Sequence, residues 1–482
     1  MLDLRPVGYI IGHLRTLLGL LMLVPAGLDW WVVSGNAAAF MWSAFATTGT
    51  GLMLVLALRN AVGPRFSNRL AFALTLGIWL GLPLFGALPF MIGAPGHGFT
   101  YAYFEAVSGI TTTGSTVIIG LDALPDGMNL WRGMLNWLGG LGIAFIAMIF
   151  LPVMRVGGMQ FFRTEGFDTL GKILPRASDI ALSLLAVYAA LTVACILTYA
   201  AVGMTALDAV VNGMATVATG GFSPSDASFG KYPGAADYAG ALFMILGSMP
   251  YIRYVQLVRG SAGPFLRDPQ IVAFLRWLTA AVTVVVAWRL ATSESAFEPT
   301  LRDGLFNLVS IFTGTGFFSG TFATWGSFGL IAAFMVGMIG GCSGSSSGAL
   351  TVFRVQLMGA AIVAQVQGIR APHRIALLKY AGRAVDQDAL GALMAFVTGY
   401  ILLIGVLSVA ITMVGVDLTS ALFGVWTSIG NIGYGIGPLV AGTGTFIEFP
   451  TAAEWILIAA MLLGRLALLT VLVALLPQFW RR

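Results

Sequence analysis

Runs of apolar residues dominate the chain, and they come in two lengths. Ten stretches approach the ~20 residues that a helix needs to cross a bilayer. They are 16–34, 38–58, 70–92, 129–152, 179–202, 238–258, 270–291, 326–365, 389–413 and 452–476, with the long eighth counted once. Between the members of four successive pairs lies a shorter run, about three helical turns at most, that dissolves into small residues and ends in glycine. These runs read FEAVSGITTTG ending at Gly114, VVNGMATVATG ending at Gly220, FNLVSIFTGTG ending at Gly316 and FGVWTSIGNIG ending at Gly433. They align without a gap at a spacing of roughly 100 residues, which marks an internal repeat. The predicted fold is an all-α integral membrane protein. A two-helix extension (1–66) precedes four pseudo-symmetric units of helix, pore helix, filter loop and helix (67–165, 166–262, 263–380 and 381–482) around a central pore.

Composition narrows the class. The chain is 58% hydrophobic and 9% charged, with a mean hydropathy of +0.90, against roughly 25% charge in a soluble domain. The net charge of +5 sorts by side of the membrane and does not indicate nucleic-acid binding. Cys195 and Cys342 both sit in apolar segments, so no disulfide framework is indicated. The first apolar stretch lacks a small-residue cleavage site and reads as a retained helix.

Lysine and arginine set the orientation. With the N-terminus in the cytoplasm, Arg5, Arg15, Arg59, Arg253, Arg259 and Arg267 fall inside, together with the segments Arg155–Arg176 and Arg354–Arg383 and the final Arg481 and Arg482. Arg132, Lys231, Arg289 and Arg302 fall outside. Both termini are then cytoplasmic, and the four short loops enter from the outer face. Acidic residues show the reverse bias: Asp29, Glu105, Asp122, Asp126, Asp208, Asp237 and Glu454 are among those expected at or near the outer surface, where they would concentrate cations.

A dehydrated cation needs oxygen ligands, and irregular backbone at membrane depth is tolerated only where it lines a cavity. Four loops can supply carbonyl rings from Thr111, Thr112, Thr113 and Gly114; Val217, Ala218, Thr219 and Gly220; Thr313, Gly314, Thr315 and Gly316; and Gly430, Asn431, Ile432 and Gly433. Glycine lets the chain turn its carbonyls toward the axis at dihedrals other residues reach only with strain. The threonines add hydroxyls or hold the loops. The carboxyl ends of the short helices, aimed inward, each contribute about half a negative charge toward a cation below.

Two features lie beneath. The stretch 326–365 is interrupted by Gly340, Gly341, Cys342, Ser343, Gly344, Ser345, Ser346, Ser347 and Gly348, a sequence that predicts a broken helix and a movable barrier in an aqueous path. Arg465 stands in the last span about 16 Å of helix from either end, too deep to snorkel comfortably, and is expected to point into the pore near that loop. Gly344–Gly348 also matches the G-x-S-x-G pattern of hydrolases, but no strand precedes it. His13, His97 and His373 lie in terminal or loop regions.

These residues resemble the Trk/Ktr/HKT superfamily of potassium transporters, nearest to its TrkH-type subunits, over almost the whole chain. The resemblance rests on TTTGST at Thr111–Thr116, ATGGFS at Ala218–Ser223, TGTGF at Thr313–Phe317 and NIGYGIG at Asn431–Gly437. WLGGLGI at Trp137–Ile143, the GGCSGSSSG interruption, LLGRLALLT around Arg465 and the terminal PQFWRR extend it. It implies one filter glycine per repeat, an intramembrane gating loop, a homodimer and a cytosolic TrkA-like regulatory subunit that binds nucleotides. Arg155–Arg176 and Arg354–Arg383 are the docking surfaces it suggests. Glycine in all four columns favours potassium over sodium. Two departures stand out: Ala467 where the family usually has glutamate, and Tyr434 where close relatives often have proline.

The expected function is potassium uptake across a bacterial inner membrane through a channel-like pore, with potassium as the transported ion, no organic cofactor and no enzymatic activity. The alternatives are symport with protons or sodium, for which Glu105 and Asp208 are the acidic candidates, and less selective potassium/sodium transport.

Overall fold

The computed structural model describes residues 3–60, 68–149, 177–371, 378–466, 471, 473 and 476–481. The basic segment Arg155–Arg176, His373, Ala467 and the unit limits at 66 and 165 lie outside them. The described residues are almost wholly helical, apart from an antiparallel pairing of Lys379–Tyr380 with Arg383–Ala384. Seven helices among them are long and apolar enough to cross a membrane, and a bent pair makes an eighth.

The two-helix extension opens the chain. Helix Arg5–Leu21, with proline in its first turn, runs through a break at Met22 into Leu23–Val32. It begins well before the apolar run at 16; Arg5 pairs with Asp3 at its exposed start, and the Arg15 guanidinium lies 3.6 Å above the Phe85 ring. It packs on Ala37–Leu58 through Gly12 and Gly19, where an added Cβ would sit 3.1 Å from the Gly51 carbonyl and 2.7 Å from the Thr48 amide. Small residues of this kind let membrane helices approach closely.

Four short helices follow at intervals: Phe99–Ile110, Ala206–Val217, Phe297–Thr313 and Leu418–Ile429. Three have twelve residues, about 18 Å, too short to cross. Caps start two of them. Thr205 accepts from the Asp208 amide and Asp417 from the Ser420 amide, which satisfies donors that the first turn leaves open. Their last two turns are almost completely buried, so they enter the fold and stop inside it.

Two of the long apolar stretches are not single spans. The run 238–258 folds as Ala235–Gly247 and Tyr251–Val258, set 90° apart. Pro250 lies between them, lacks an amide donor and disfavours a helical residue before it. The run 326–365 divides into Ser327–Ile339 and Val352–Arg370, with Gly340–Thr351 non-helical between them.

The acidic residues depart from the sequence expectation. Asp29, Glu105, Asp208, Asp237 and Glu454 are all at most 4% exposed, so these five do not form an exposed charged surface. Four of them meet hydrogen-bond donors, and Glu454 meets none among the described residues. Asp29 accepts from the Gly127 amide (2.9 Å) and Asn36 (3.2 Å), and Asp237 accepts from the Gly234 amide. Asp208 accepts from Tyr232, and Glu105 accepts from Arg132 at 2.8 Å. Arg132, expected outside, is itself 1% exposed.

Candidate ion pathway

The four short helices end in loops of one shape. In each, an amide bonds back to the carbonyl five residues earlier: Thr113 to Ser108, Gly220 to Ala215, Thr315 to Ser310 and Ile432 to Thr427. The residue before each of these has positive φ, namely Thr112 at 50°, Thr219 at 48°, Gly314 at 72° and Asn431 at 50°. The residue after each is glycine and also has positive φ: Gly114 at 85°, Gly221 at 73°, Gly316 at 86° and Gly433 at 80°.

These glycines close a ring. A side chain on Gly114 would overlap the Gly220 carbonyl, and one on Gly221 the Thr315 carbonyl. One on Gly316 would overlap the Ile432 carbonyl, and one on Gly433 the Thr113 carbonyl. Loop one therefore abuts loop two, two abuts three, three abuts four and four returns to one. Both the positive φ and the close approach exclude a Cβ.

The ring also corrects a register. The gap-free alignment put Gly220 in the glycine column, but the left-handed residue that meets the next loop is Gly221. Gly220 instead occupies the column of Thr113, Thr315 and Ile432. Two adjacent glycines made both registers acceptable on residue type, and only the inter-loop contact separates them.

Side chains hold the loops from behind. Thr111 and Thr113 share a hydrogen bond of 2.7 Å, as do Thr313 and Thr315. Asn431 donates to Thr113 and to the Met461 carbonyl, both at 3.0 Å. Ser310 donates to the Phe317 carbonyl, and Tyr434 to Asn307 at 2.9 Å. These hydroxyls are spent on bracing the loops.

The interrupted helix lies directly against the inner ends of the short helices. Ser346 donates toward the Val217 carbonyl (3.1 Å) and also meets Tyr251 and Thr219. None of these partners is a histidine. Ser347 bonds the Thr313 carbonyl, and Gly348 lies so close to the Gly430 carbonyl that a Cβ would overlap it. Arg465 completes the contact, bonding the Ser346 carbonyl at 2.9 Å and the Thr112 hydroxyl. The Cys342 amide donates to the Ser248 carbonyl and the Tyr251 amide to Gly344, both at 3.0 Å, so the bend at Pro250 receives the loop.

A cavity of about 230 Å³ opens on the other side of the ring, lined by Gly114, Gly221, Gly316 and Gly433 together with Thr116 and Arg132. A smaller one, about 70 Å³, lies beyond the interrupted helix and includes Ser345, Arg354 and Arg465. Neither Glu105 nor Asp208 lines either cavity. Sequence reasoning missed Arg132 and Tyr251. An arginine in one apolar stretch and a glutamate in another was the available signal for the first; nothing pointed to the second.

Loops from four repeats thus meet in one ring, with an interrupted helix packed against the ends of their short helices. The chain belongs to the TrkH family of cation transport proteins, whose family model matches residues 59–481; this is a transporter family, not an enzyme family. It is 38% identical to the Trk system potassium uptake protein TrkI of Halomonas elongata over 85% of this chain and 84% of that one. It is 34% identical to TrkH of Escherichia coli K12 over 99% of both. The crystal structure of the potassium transporter TrkH from Vibrio parahaemolyticus superposes with a TM-score of 0.92 at 30% identity, covering 100% of both chains. The chain is thus a multi-pass membrane protein with the fold expected from its repeats.

Proposed function

We propose that the chain takes up potassium across a bacterial inner membrane, with both termini cytoplasmic, through a single filter formed by Thr111–Gly114, Ala218–Gly221, Thr313–Gly316 and Gly430–Gly433. The observation that carries the reading is the ring of four glycines, each against the next loop's carbonyl. Backbone oxygens so arranged replace the water stripped from the ion. The inward-facing carboxyl ends of the short helices add negative potential beneath. Gly340–Thr351, held by Arg465, is the gate: its serines occupy carbonyls at the inner mouth, and it must move before an ion can leave. Homodimerisation and control by a cytosolic TrkA-like nucleotide-binding subunit complete the proposal, and they rest on the family resemblance. The inward step is favoured by ~2.3 kcal/mol per charge per 100 mV, so a voltage-driven pore suffices without a coupling ion.

The test is rubidium uptake into liposomes bearing the purified protein, with voltage and pH gradients imposed separately. Uptake that follows voltage and ignores the pH and sodium gradients supports the pore. Uptake that requires either gradient replaces it with a symporter.

A further inference from the structure

The four filter loops are not braced alike, and the second is the exception. In the column just before the ring glycines, Thr113, Thr315 and Ile432 each carry a side chain that fills the space behind the loop. Two of these are hydroxyls tied to a second threonine, Thr111 or Thr313. The second loop has Ala218 and Gly220 at these two places, so it has neither the side chain nor the hydroxyl pair. That space is taken by Asn136, from the long helix Asp126–Ile149 of the first repeat. A Cβ built on Gly220 would lie 2.5 Å from the Asn136 amide carbon.

Asn136 is 0% exposed, and neither its amide nitrogen nor its amide oxygen has a hydrogen-bond partner among the described residues. A buried amide left dry is costly, about 1–3 kcal/mol per unsatisfied group, so packing alone does not account for it. The neighbouring repeats sharpen the point. Gly139, Gly247 and Gly464 each press against the last helical carbonyl of a short helix, at Ile110, Val217 and Ile429. Three residues before each stand Asn136, Met244 and Met461. The polar residue occurs in the repeat that faces the bare loop.

We propose that Asn136 is the positioning residue of the second filter loop. With an ion in the filter, its amide hydrogen-bonds the backbone around Gly220 and Gly221, holds their carbonyls at potassium distance and so sets discrimination against sodium. This rests on the filter reading above. Gly220 does not need positive φ, so the position accepts a side chain once Asn136 is shortened. The design the other loops use can therefore be restored here.

The experiment measures rubidium and sodium uptake, and thermal stability, for the full-length protein in liposomes. Asn136→Leu keeps the volume and removes the hydrogen bonds; it is expected to raise the sodium-to-rubidium ratio about fivefold, the factor one hydrogen bond commands, while rubidium uptake persists. Asn136→Ala shifts the ratio the same way, and Asn136→Ala with Gly220→Thr returns it toward the original. An unchanged ratio in Asn136→Leu, or failure of the double variant to differ from Asn136→Ala, overturns the proposal. Gly433→Ala is the control for the reading beneath it: if that variant also leaves selectivity intact, the filter assignment itself falls. If only the Asn136 variants are silent, the filter stands and this role does not.

Discussion

The hydroxyl of Ser347 donates to the carbonyl of Thr313 at 2.6 Å, which bonds the interrupted helix directly to the end of the third short helix. The same oxygen accepts from the Gly341 amide at 2.9 Å, so one side chain both folds the loop and seats it. Ser347→Ala removes both bonds. Loss of two buried hydrogen bonds of about 1 kcal/mol each is expected to raise basal rubidium flux severalfold, read in liposomes without any partner protein. Unchanged flux with a lowered melting temperature would make the contact structural and leave the loop without a gating role.

Arg465 ties two other places together, Ser346 in the interrupted helix and Thr112 in the first loop. Arg465→Gln keeps donors but loses the charge and the fork that reaches both. Basal flux is expected to rise more than in Ser347→Ala, and Arg465→Lys to fall between, because an ammonium reaches one acceptor set at a time. The ordering of the three variants is the measurement; a lysine variant equal to wild type would reduce the role to charge alone.

The register of the second loop makes a sharp comparison. Gly221 has φ of 73° and lies against the Thr315 carbonyl, whereas a Cβ on Gly220 would first meet the Asn136 side chain. Gly221→Ala should abolish rubidium uptake or its preference over sodium, by more than tenfold given strain of about 1–3 kcal/mol in a ring that cannot give way. Gly220→Ala should be milder. The reverse order would return Gly220 to the glycine column.

Glu105 and Arg132 form a buried pair at 2.8 Å, with further bonds from Arg132 to the Ser223 carbonyl and from Thr116 and the Val117 amide to Glu105. Glu105→Ala strands the guanidinium, and removing one partner of such a pair costs about 3–5 kcal/mol. The expected outcome is a large fall in melting temperature and in folded yield. A stable Glu105→Gln variant whose uptake loses its response to a pH gradient would instead revive proton coupling at this residue.

Lys231 bridges Asp122 and Asp208 at 3.4 and 2.9 Å. Partial burial opposes the charged form of Asp122, but bonds from the Asp226 amide and Ser225, with the Lys231 charge, hold its carboxyl below the ordinary 3.8. Burial likewise opposes the Lys231 charge, yet Asp208 and Asp122 raise its pKa above 10.5. A depressed acid contributes stability above its unfolded pKa and loses it on acidification through the folded one. A raised lysine contributes below its unfolded pKa and loses it on alkalinisation. The bridge is therefore constant from about pH 5 to 9. Lys231→Met should lower stability by an amount that stays the same across that range, checked by melting at several pH values; a strong pH dependence near neutrality would contradict it.

The sequence by itself determined the class and the repeat. Apolar runs too long for anything but a bilayer, and four runs too short to cross it, follow from the length of a helix and the thickness of hydrocarbon. The break at Gly340 was equally readable, since nine small residues cannot sustain a membrane helix, and Arg465 was too deep in its span to stand alone. Tertiary structure decided what depends on contact between repeats. Gly220 and Gly221 are chemically identical, and only the neighbouring Thr315 carbonyl says which one must lack a side chain. Asp29, Glu105 and Asp237 looked like surface charge because a linear pattern counts sides of a membrane, not donors. Gly127 and Arg132 reach Asp29 and Glu105 through the fold, whereas Asp237 is claimed locally, by the Gly234 amide that its own helix start leaves open.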